Sequence, residues 1–347
     1  MWRRDFEYDL PPDRIARFPA KPRDASRLLV LPREGGALHR RFRDLPGLLE
    51  AGDLLVVNDS RVIPARLRVR RTGGGRGEVF LLRPAPEAGC WEALCRPAKR
   101  MRPGSRVAVG EDGGPVLEIL ADLGEGRRVV RPLEGTVESL LARHGEVPLP
   151  PYLQREAEAA DRRRYQTVYA REGFSVAAPT AGLHFTPRVL GALAARGVEV
   201  TAVRLDVGPG TFRPVEVERL EDHRMDTEEY VVPEGAARAV NAALKEGRRV
   251  VAVGTTATRC LEDQALRFGE LRPGSWRTSL YILPGFRFRI VSGLLTNFHL
   301  PGSTLLCLVA AFSGRERILA AYREAVERGY RFYSYGDACL LWRASGP

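Results

Sequence analysis

Only five histidines occur among 347 residues, so the setting of each one is informative. His184 lies in SVAAPTAGLHFT (175 to 186), a stretch without Asp, Glu, Lys or Arg in a chain of which 28% is charged, and it precedes Thr186 by two positions. His299 lies in LLTNFHLPGSTLL (294 to 306), four positions before Ser303. Thr186, which is followed by Pro187, and Ser303 both read as helix N-caps, where a hydroxyl accepts from the free N–H groups of the first turn. Each histidine is therefore expected near the positive end of a helix, which disfavours imidazolium and keeps a neutral ring able to accept a proton near pH 7. A ligand carboxylate would be welcome there too. Spacing alone fits equally well a loop histidine that satisfies backbone carbonyls. His223, in EDHRMDTEEY, sits among acids and reads as a salt-bridged side chain; no HxxxH pair or paired cysteines support a metal there. His39 and His144 read as surface or structural.

Glycine-containing turns are the second source of chemistry. VVAVGTTATRC (250 to 260) reads as strand, turn and helix, and the N–H groups and hydroxyls of Gly254, Thr255 and Thr256 could hold a ribose, phosphate or carboxylate. An ordinary βα turn capped by threonine fits as well. In VGPGTF (207 to 212) two glycines flank a proline and fix an unusual backbone path, and the strict dinucleotide fingerprint GxGxxG is absent. In YRFYSYGDACLL (330 to 341), Tyr333, Tyr335 and Asp337 could face a cation, although a terminal strand packing its aromatics into the core explains the same pattern.

The elements that must position these residues divide the chain in two. Between about 61 and 133, six short apolar stretches, PARLRVR, EVFLL, WEALC, RVAVG, VLEIL and RRVV, are separated by Gly or Pro turns. That texture predicts a small antiparallel barrel or sandwich, and six strands arranged as a barrel are the simplest form. TVESLLARHG then reads as a short helix and VPLPPYL as a proline-stiffened connector. Beyond 150, strands alternate with helices: TPRVLGALAARG, VEVTAVRLDV, EGAARAVNAALKEG, RRVVAV, a GTT turn and ATRCLEDQALRFG form an α/β pattern. The apolar strand DLLVVND has no place in a six-stranded barrel. The fold expected is therefore α/β, a discontinuous domain (1–62 plus 148–347) into which the barrel (63–147) is inserted.

Composition narrows the function. With 44% hydrophobic residues the chain is globular, and its longest apolar run, LLCLVAAF, is too short to span a bilayer. The expectation is a soluble cytoplasmic protein whose five scattered cysteines are buried free thiols. The net charge is +11, and Arg61 to Arg106 alone holds twelve Arg or Lys against three Glu. A polyanionic partner met by the barrel is one expectation; arginines that merely solubilise the barrel fit the same charge.

The strings NDSRVIPARL, WEALCRPAKR, RYQTVYA, SVAAPTAGLHFT, VGPGTFRPV, VGTTATRCLE, LLTNFHLPGSTLL and YRFYSYGDA, in this order from about residue 5 to 340, together resemble the S-adenosylmethionine:tRNA ribosyltransferase-isomerase family of queuosine biosynthesis. The resemblance implies transfer of the ribosyl part of S-adenosylmethionine to 7-aminomethyl-7-deazaguanine at the wobble position of tRNAs with GUN anticodons. Isomerisation then gives epoxyqueuosine, with adenine and methionine released. It also implies an α/β domain with an inserted six-stranded barrel, a monomer, and no metal or separate cofactor, S-adenosylmethionine being a co-substrate.

The roles expected on that footing are these. A sulfonium acidifies the adjacent C5′ hydrogens, so a neutral base is required: His184 is the first candidate, His299 the second and His223 the third. Thr180, Thr296 and Asn297 would position ribose hydroxyls, Gly182 would line the S-adenosylmethionine site, and Gly254, Thr255, Thr256 or Ser303 would receive the methionine carboxylate. Asp337 or the face of Tyr335 would meet the sulfonium. Arg66, Arg68, Arg96, Lys99 and Arg100 would contact tRNA phosphates. The chain departs from the family pattern at Asp206 and Asp226, where histidines are common, and at Ser292, where aspartate is frequent. Two other classes remain open, an S-adenosylmethionine-dependent RNA methyltransferase and a non-catalytic RNA-binding protein. The first would usually carry a Gly-rich loop after its first strand; the second would not need the uncharged histidine-bearing loops.

Overall fold

A computed structural model describes residues 1–110, 114–208, 210 and 215–343, so Pro209, Thr211 and Phe212 of VGPGTF lie outside the described residues. The chain begins with β1 (Arg27–Leu31), β2 (Leu38–Arg41) and β3 (Leu54–Asn58). It then enters six strands, β4 (Arg66–Arg71), β5 (Arg76–Pro84), β6 (Trp91–Arg96), β7 (Arg106–Val109), β8 (Val116–Gly124) and β9 (Arg127–Pro132). These close into an antiparallel barrel in the order β4-β5-β6-β9-β8-β7. All six expected stretches are strands. Alternate side chains such as Leu67, Val69, Val79, Leu81, Ala93, Cys95, Leu117 and Ile119 fill the interior, which accounts for the period-two pattern.

Helix α1 (Val137–His144), capped by the Thr136 hydroxyl on Ser139 N, packs Val137, Leu140 and Leu141 against the barrel. The chain returns through α2 (Asp161–Arg164) to α3 (Pro187–Ala195) and β10 (Glu199–Leu205). There follow β11 (Glu228–Val232), α4 (Glu234–Lys245), β12 (Val250–Val253) and α5 (Gly254–Phe268). The last elements are β13 (Gly274–Thr278), β14 (Gly293–Asn297), α6 (Thr304–Ser313), α7 (Arg315–Glu327) and β15 (Ala338–Trp342).

The nine strands outside the barrel form one sheet, β13-β11-β10-β3-β12-β14-β15-β1-β2. β3 lies between β10 and β12 in parallel register, although the whole barrel separates β3 from β10 in sequence. The chain enters and leaves the barrel side by side, because Arg66 and Glu146 form an antiparallel bridge. Both faces of the sheet are covered. Leu54, Val56, Val250, Ala252 and Leu294 join the core with α4 to α7, whereas Leu55, Val57, Val251, Val253 and Leu295 join Phe42, Phe185 and α3 on the other side. This double burial is why DLLVVND is apolar without alternation.

Two sequence expectations need correcting. GTT is not a separate turn: α5 starts at Gly254 itself, whose φ of +90° swings the chain directly from β12 into the helix. YRFYSYGDA is mostly loop, with only Ala338 onward in β15. All five cysteines are buried and free, as expected. No helix among the described residues is long and apolar enough to cross a membrane.

Candidate active site

The block β10-β3-β12-β14 is parallel throughout, so four carboxyl ends meet along one edge. β15 runs antiparallel to β14 and β1 runs parallel to β15, so their amino ends meet the same edge. Residues far apart in sequence are thereby gathered: Ser26 before β1, Asn58 at the end of β3, Asp206 after β10, Gly254 after β12, Asn297 at the end of β14 and Asp337 before β15. The carboxyl edge of parallel strands is where open α/β sheets bind ligands, since helix N-termini and loops converge there.

His184 ends a short 3-10 turn, Thr180–His184, that lies over this edge. Its ring is 4% exposed and stacks on Phe42 with centroids 5.0 Å apart. Nδ1 lies 2.8 Å from Ser26 Oγ and Nε2 lies 3.2 Å from Asn297 Nδ2. Because an amide N–H can only donate, Nε2 accepts and the proton sits on Nδ1, donated to Ser26. Asn297 Nδ2 also donates to Tyr333 O at 3.1 Å, while its buried Oδ1 has no partner among the described residues. Burial, followed by the charges of Arg331 and Arg23, pushes His184 down to about 3. The neutral ring expected from sequence is present, but its cause is desolvation and two guanidinium groups rather than a helix end. It is a much weaker base than one poised near pH 7.

His299 is 5% exposed and is also pushed down to about 3, by burial alone. Its Nε2 lies 2.9 Å from Thr296 Oγ1, and its backbone is held by Tyr8 Oη, donating to His299 O at 2.5 Å, and by Tyr322 Oη, accepting from His299 N at 3.3 Å. Both caps are real: Thr186 Oγ1 accepts from Val189 N and Ser303 Oγ from Leu306 N, each at 3.2 Å. His223 stands apart from the two buried rings. It packs edge-on against Tyr281 with centroids 5.4 Å apart, and among the described residues it forms no direct ion pair. The nearby Asp226 charge only partly offsets the lowering by burial. No group of three or more His, Cys, Asp or Glu among the described residues is arranged to hold a metal ion.

The rest of the wall is polar and partly unsatisfied. Gly182 is required by contact: a Cβ there would stand 2.1 Å from Tyr169 Oη and 2.7 Å from Thr167 Cγ2. Tyr169 Oη and Thr167 Oγ1 are themselves buried without partners among the described residues. Gly254 approaches the same turn, since its Cβ would lie 3.7 Å from Ala181 Cβ. Asn58 ties the strand ends together, with Nδ2 donating to Leu205 O at 3.0 Å and to Thr256 Oγ1 at 3.2 Å. Asp206 accepts from Ser60 Oγ at 2.5 Å and Phe174 N at 3.1 Å.

Two expected sulfonium partners are already committed. Asp337 accepts from Arg27 N, Arg331 N and Arg331 Nη2 at 2.9 to 3.1 Å and is 1% exposed. Tyr335 Oη donates to Asp161 Oδ1 at 2.8 Å, and Asp161 forms a two-pronged pair with Arg155 at 2.7 and 2.8 Å. The expected phosphate ligands divide likewise. Arg66 is paired with Glu78, and Arg68 with Glu146 and Glu156, while Arg96, Lys99 and Arg100 are exposed without an ion pair among the described residues. Ser26, Phe42, Asn58, Thr167 and Tyr169 were not singled out from sequence, although RYQTVYA and NDSRVIPARL contain three of them.

Residues 3–341 match the family described as Queuosine biosynthesis protein. The chain belongs to this family. Similar proteins include the S-adenosylmethionine:tRNA ribosyltransferase-isomerases of Moorella thermoacetica, 52% identical over 97% of this chain and 98% of that protein, and of Anaeromyxobacter sp. strain Fw109-5, 54% identical over 98% and 99%. Among solved structures, the S-adenosylmethionine tRNA ribosyltransferase of Thermotoga maritima is 38% identical, covers 97% of this chain and 99% of its own, and superposes with a TM-score of 0.56. Family membership at this identity and coverage makes the chain an enzyme rather than a simple RNA-binding module, and it does not favour the methyltransferase reading.

Proposed function

We propose that the protein transfers and isomerises the ribosyl group of S-adenosylmethionine onto 7-aminomethyl-7-deazaguanine at the wobble position of tRNAs with GUN anticodons, forming epoxyqueuosine. The observation that carries the reading to this site is the pairing of a neutral, buried His184 with the orphaned Oδ1 of Asn297. A buried acceptor without a donor is unfavourable in isolation, and a ribose hydroxyl supplies the missing donor. Thr167 and Tyr169 offer two further unpaired hydroxyls beside Gly182, so the 180–184 turn carries a polar wall suited to a sugar.

His184 takes the C5′ proton at Nε2 once a ribose hydroxyl has drawn the Asn297 amide away. With a pKa near 3 the imidazolium is strongly acidic and does not retain the proton, which suits its delivery to the departing adenine. The electron pair left at C5′ breaks the C4′–O bond to give a vinyl sulfonium, and the freed oxygen forms a C1′ carbonyl as the glycosidic pair leaves with adenine. The aminomethyl nitrogen then adds to C4′ and loses a proton, the C5′ carbanion so formed bonds to C1′, and the resulting alkoxide displaces methionine with the C5′–S pair to close the epoxide. His299 is the second candidate base and acts first through Thr296. The N–H groups at Gly254 to Thr256 receive the methionine carboxylate. Asp337, whose oxygens are already engaged, does not serve the sulfonium. No separate cofactor or metal enters this scheme.

The protein acts as a monomer in the cytoplasm, where both substrates are found. The test is direct: incubate the protein with S-adenosylmethionine and precursor tRNA and identify the small products by mass spectrometry. Adenine and methionine in equal amounts are expected. S-adenosylhomocysteine would establish a methyltransferase, and no product would leave a binding protein.

A further inference from the structure

Beside the His184 site, a cavity of about 360 Å³ is lined by Lys21, Arg27, Arg41, Arg331 and Asp337, together with Ala20, Ala25 and Gly329. It shares a wall with the site. Ser26 bonds to His184 while the next residue, Arg27, lines the cavity, and Arg331 is close enough for its charge to act on His184.

The cations of this cavity are poorly compensated. The Arg27 guanidinium donates to Arg328 O and stacks 4.5 Å over Tyr330; that of Arg41 donates to Ala25 O at 3.0 Å. Neither they nor Lys21 form an ion pair among the described residues, although the Asp44 carboxylate accepts from Arg41 N. Only Arg331 has a carboxylate partner, Asp337. Behind the rim, Arg23 reaches the carbonyls of Gln166, Leu183 and Arg163, again without a carboxylate, and Arg164 donates to Ala20 O. Arg23 is lowered by burial and then by repulsion from Arg164 and Arg163. Like charges held together at a site edge without counter-ions are balanced only when an anion arrives.

Which anion follows from charge. S-adenosylmethionine carries a sulfonium and an ammonium against one carboxylate, so this field repels it on balance. A chain of phosphates has the repeated negative charge that several separated cations match. We infer that the Lys21–Arg27–Arg41–Arg331 cavity binds backbone phosphates of the tRNA next to the nucleotide held at His184, so that the α/β body, and not the barrel alone, grips the RNA. The inference rests on the reading of tRNA as substrate. Phosphate contacts of this kind fix register on the RNA, and the base is read at the adjoining site.

The experiment measures binding of a tRNA transcript with a GUN anticodon at several salt concentrations, with S-adenosylmethionine binding followed by calorimetry on the same samples. Arg27→Ala/Arg41→Ala is the first variant and Lys21→Glu, at an exposed side chain without a hydrogen bond or ion pair among the described residues, the second. A control, Arg196→Ala/Lys245→Ala, removes the same charge where α3 and α4 end, at the opposite edge of the sheet. The double variant is expected to weaken tRNA binding about ten-fold or more and to reduce the salt slope by about 1.5 to 2, Lys21→Glu to reduce the slope by about 1, and the control to change neither. Unchanged affinity and slope in both cavity variants would overturn the inference, as would an equal loss in the control or a loss confined to S-adenosylmethionine. If the unaltered protein bound no tRNA, the proposed function itself would fall.

Discussion

His184 and His299 make the stability of the protein depend on pH in a way that can be calculated. Both have folded-state values near 3 against an ordinary 6.5, so between these limits the unfolded chain binds two protons that the folded chain refuses. Stability therefore falls as pH falls through 6.5 and levels off only near 3. Integrated from pH 8 to pH 5, each ring contributes about 2 kcal/mol of lost stability, and the pair about 4. Urea unfolding at the two pH values measures the loss. His299→Gln cannot titrate, so whatever its stability at pH 8, its drop to pH 5 should be about 2 kcal/mol smaller than that of the unaltered protein. His184→Gln should behave alike, and the double variant should lose both increments. Equal pH dependence in all four proteins would refute the burial of neutral imidazoles on which the site is built.

Three further outcomes test the packing around the site. Gly182→Ala drives a methyl group to 2.1 Å from Tyr169 Oη, so thermal unfolding should report a loss of about 1 to 3 kcal/mol, partly restored by Tyr169→Phe. Asp161→Asn breaks the buried pair with Arg155, whose side chains are 4% and 9% exposed, and loosens Tyr335; denaturation should show about 3 to 5 kcal/mol of destabilisation. Ser26→Ala removes the acceptor that holds the proton on Nδ1 of His184, and turnover should fall about ten-fold or more while the KM for S-adenosylmethionine stays within about two-fold. Ser26→Thr should restore it.

Local chemistry in this chain is legible from sequence and long-range assembly is not. The barrel strands announce themselves because each alternates between core and solvent and ends in a glycine or proline turn. Thr186 and Ser303 cap their helices as their neighbours suggest, a matter of one hydroxyl and an N–H three residues on. By contrast, β1 and β15 pair across some three hundred residues, so nothing local reports that Ser26 and Asn297 flank one histidine. Asp337 and Tyr335 look available for a cation until the fold supplies Arg331 and Asp161. Neutral rings at His184 and His299 were expected from their nearness to helix ends, but burial dominates both. The basic barrel drew attention to Arg66 and Arg68, which cross-strand and connector glutamates neutralise, and away from the cavity of Lys21 and Arg27, whose members come from three separate segments.

The most direct test of the whole account is single-turnover release of adenine from S-adenosylmethionine in the presence of precursor tRNA, with His184→Ala compared against the unaltered protein. The variant should remain folded at pH 7.5, bind both substrates within a few-fold of the unaltered protein, and release adenine at least about a hundred-fold more slowly. Adenine release at the unaltered rate would contradict the assignment of His184 and, with it, the site at the carboxyl edge of the sheet.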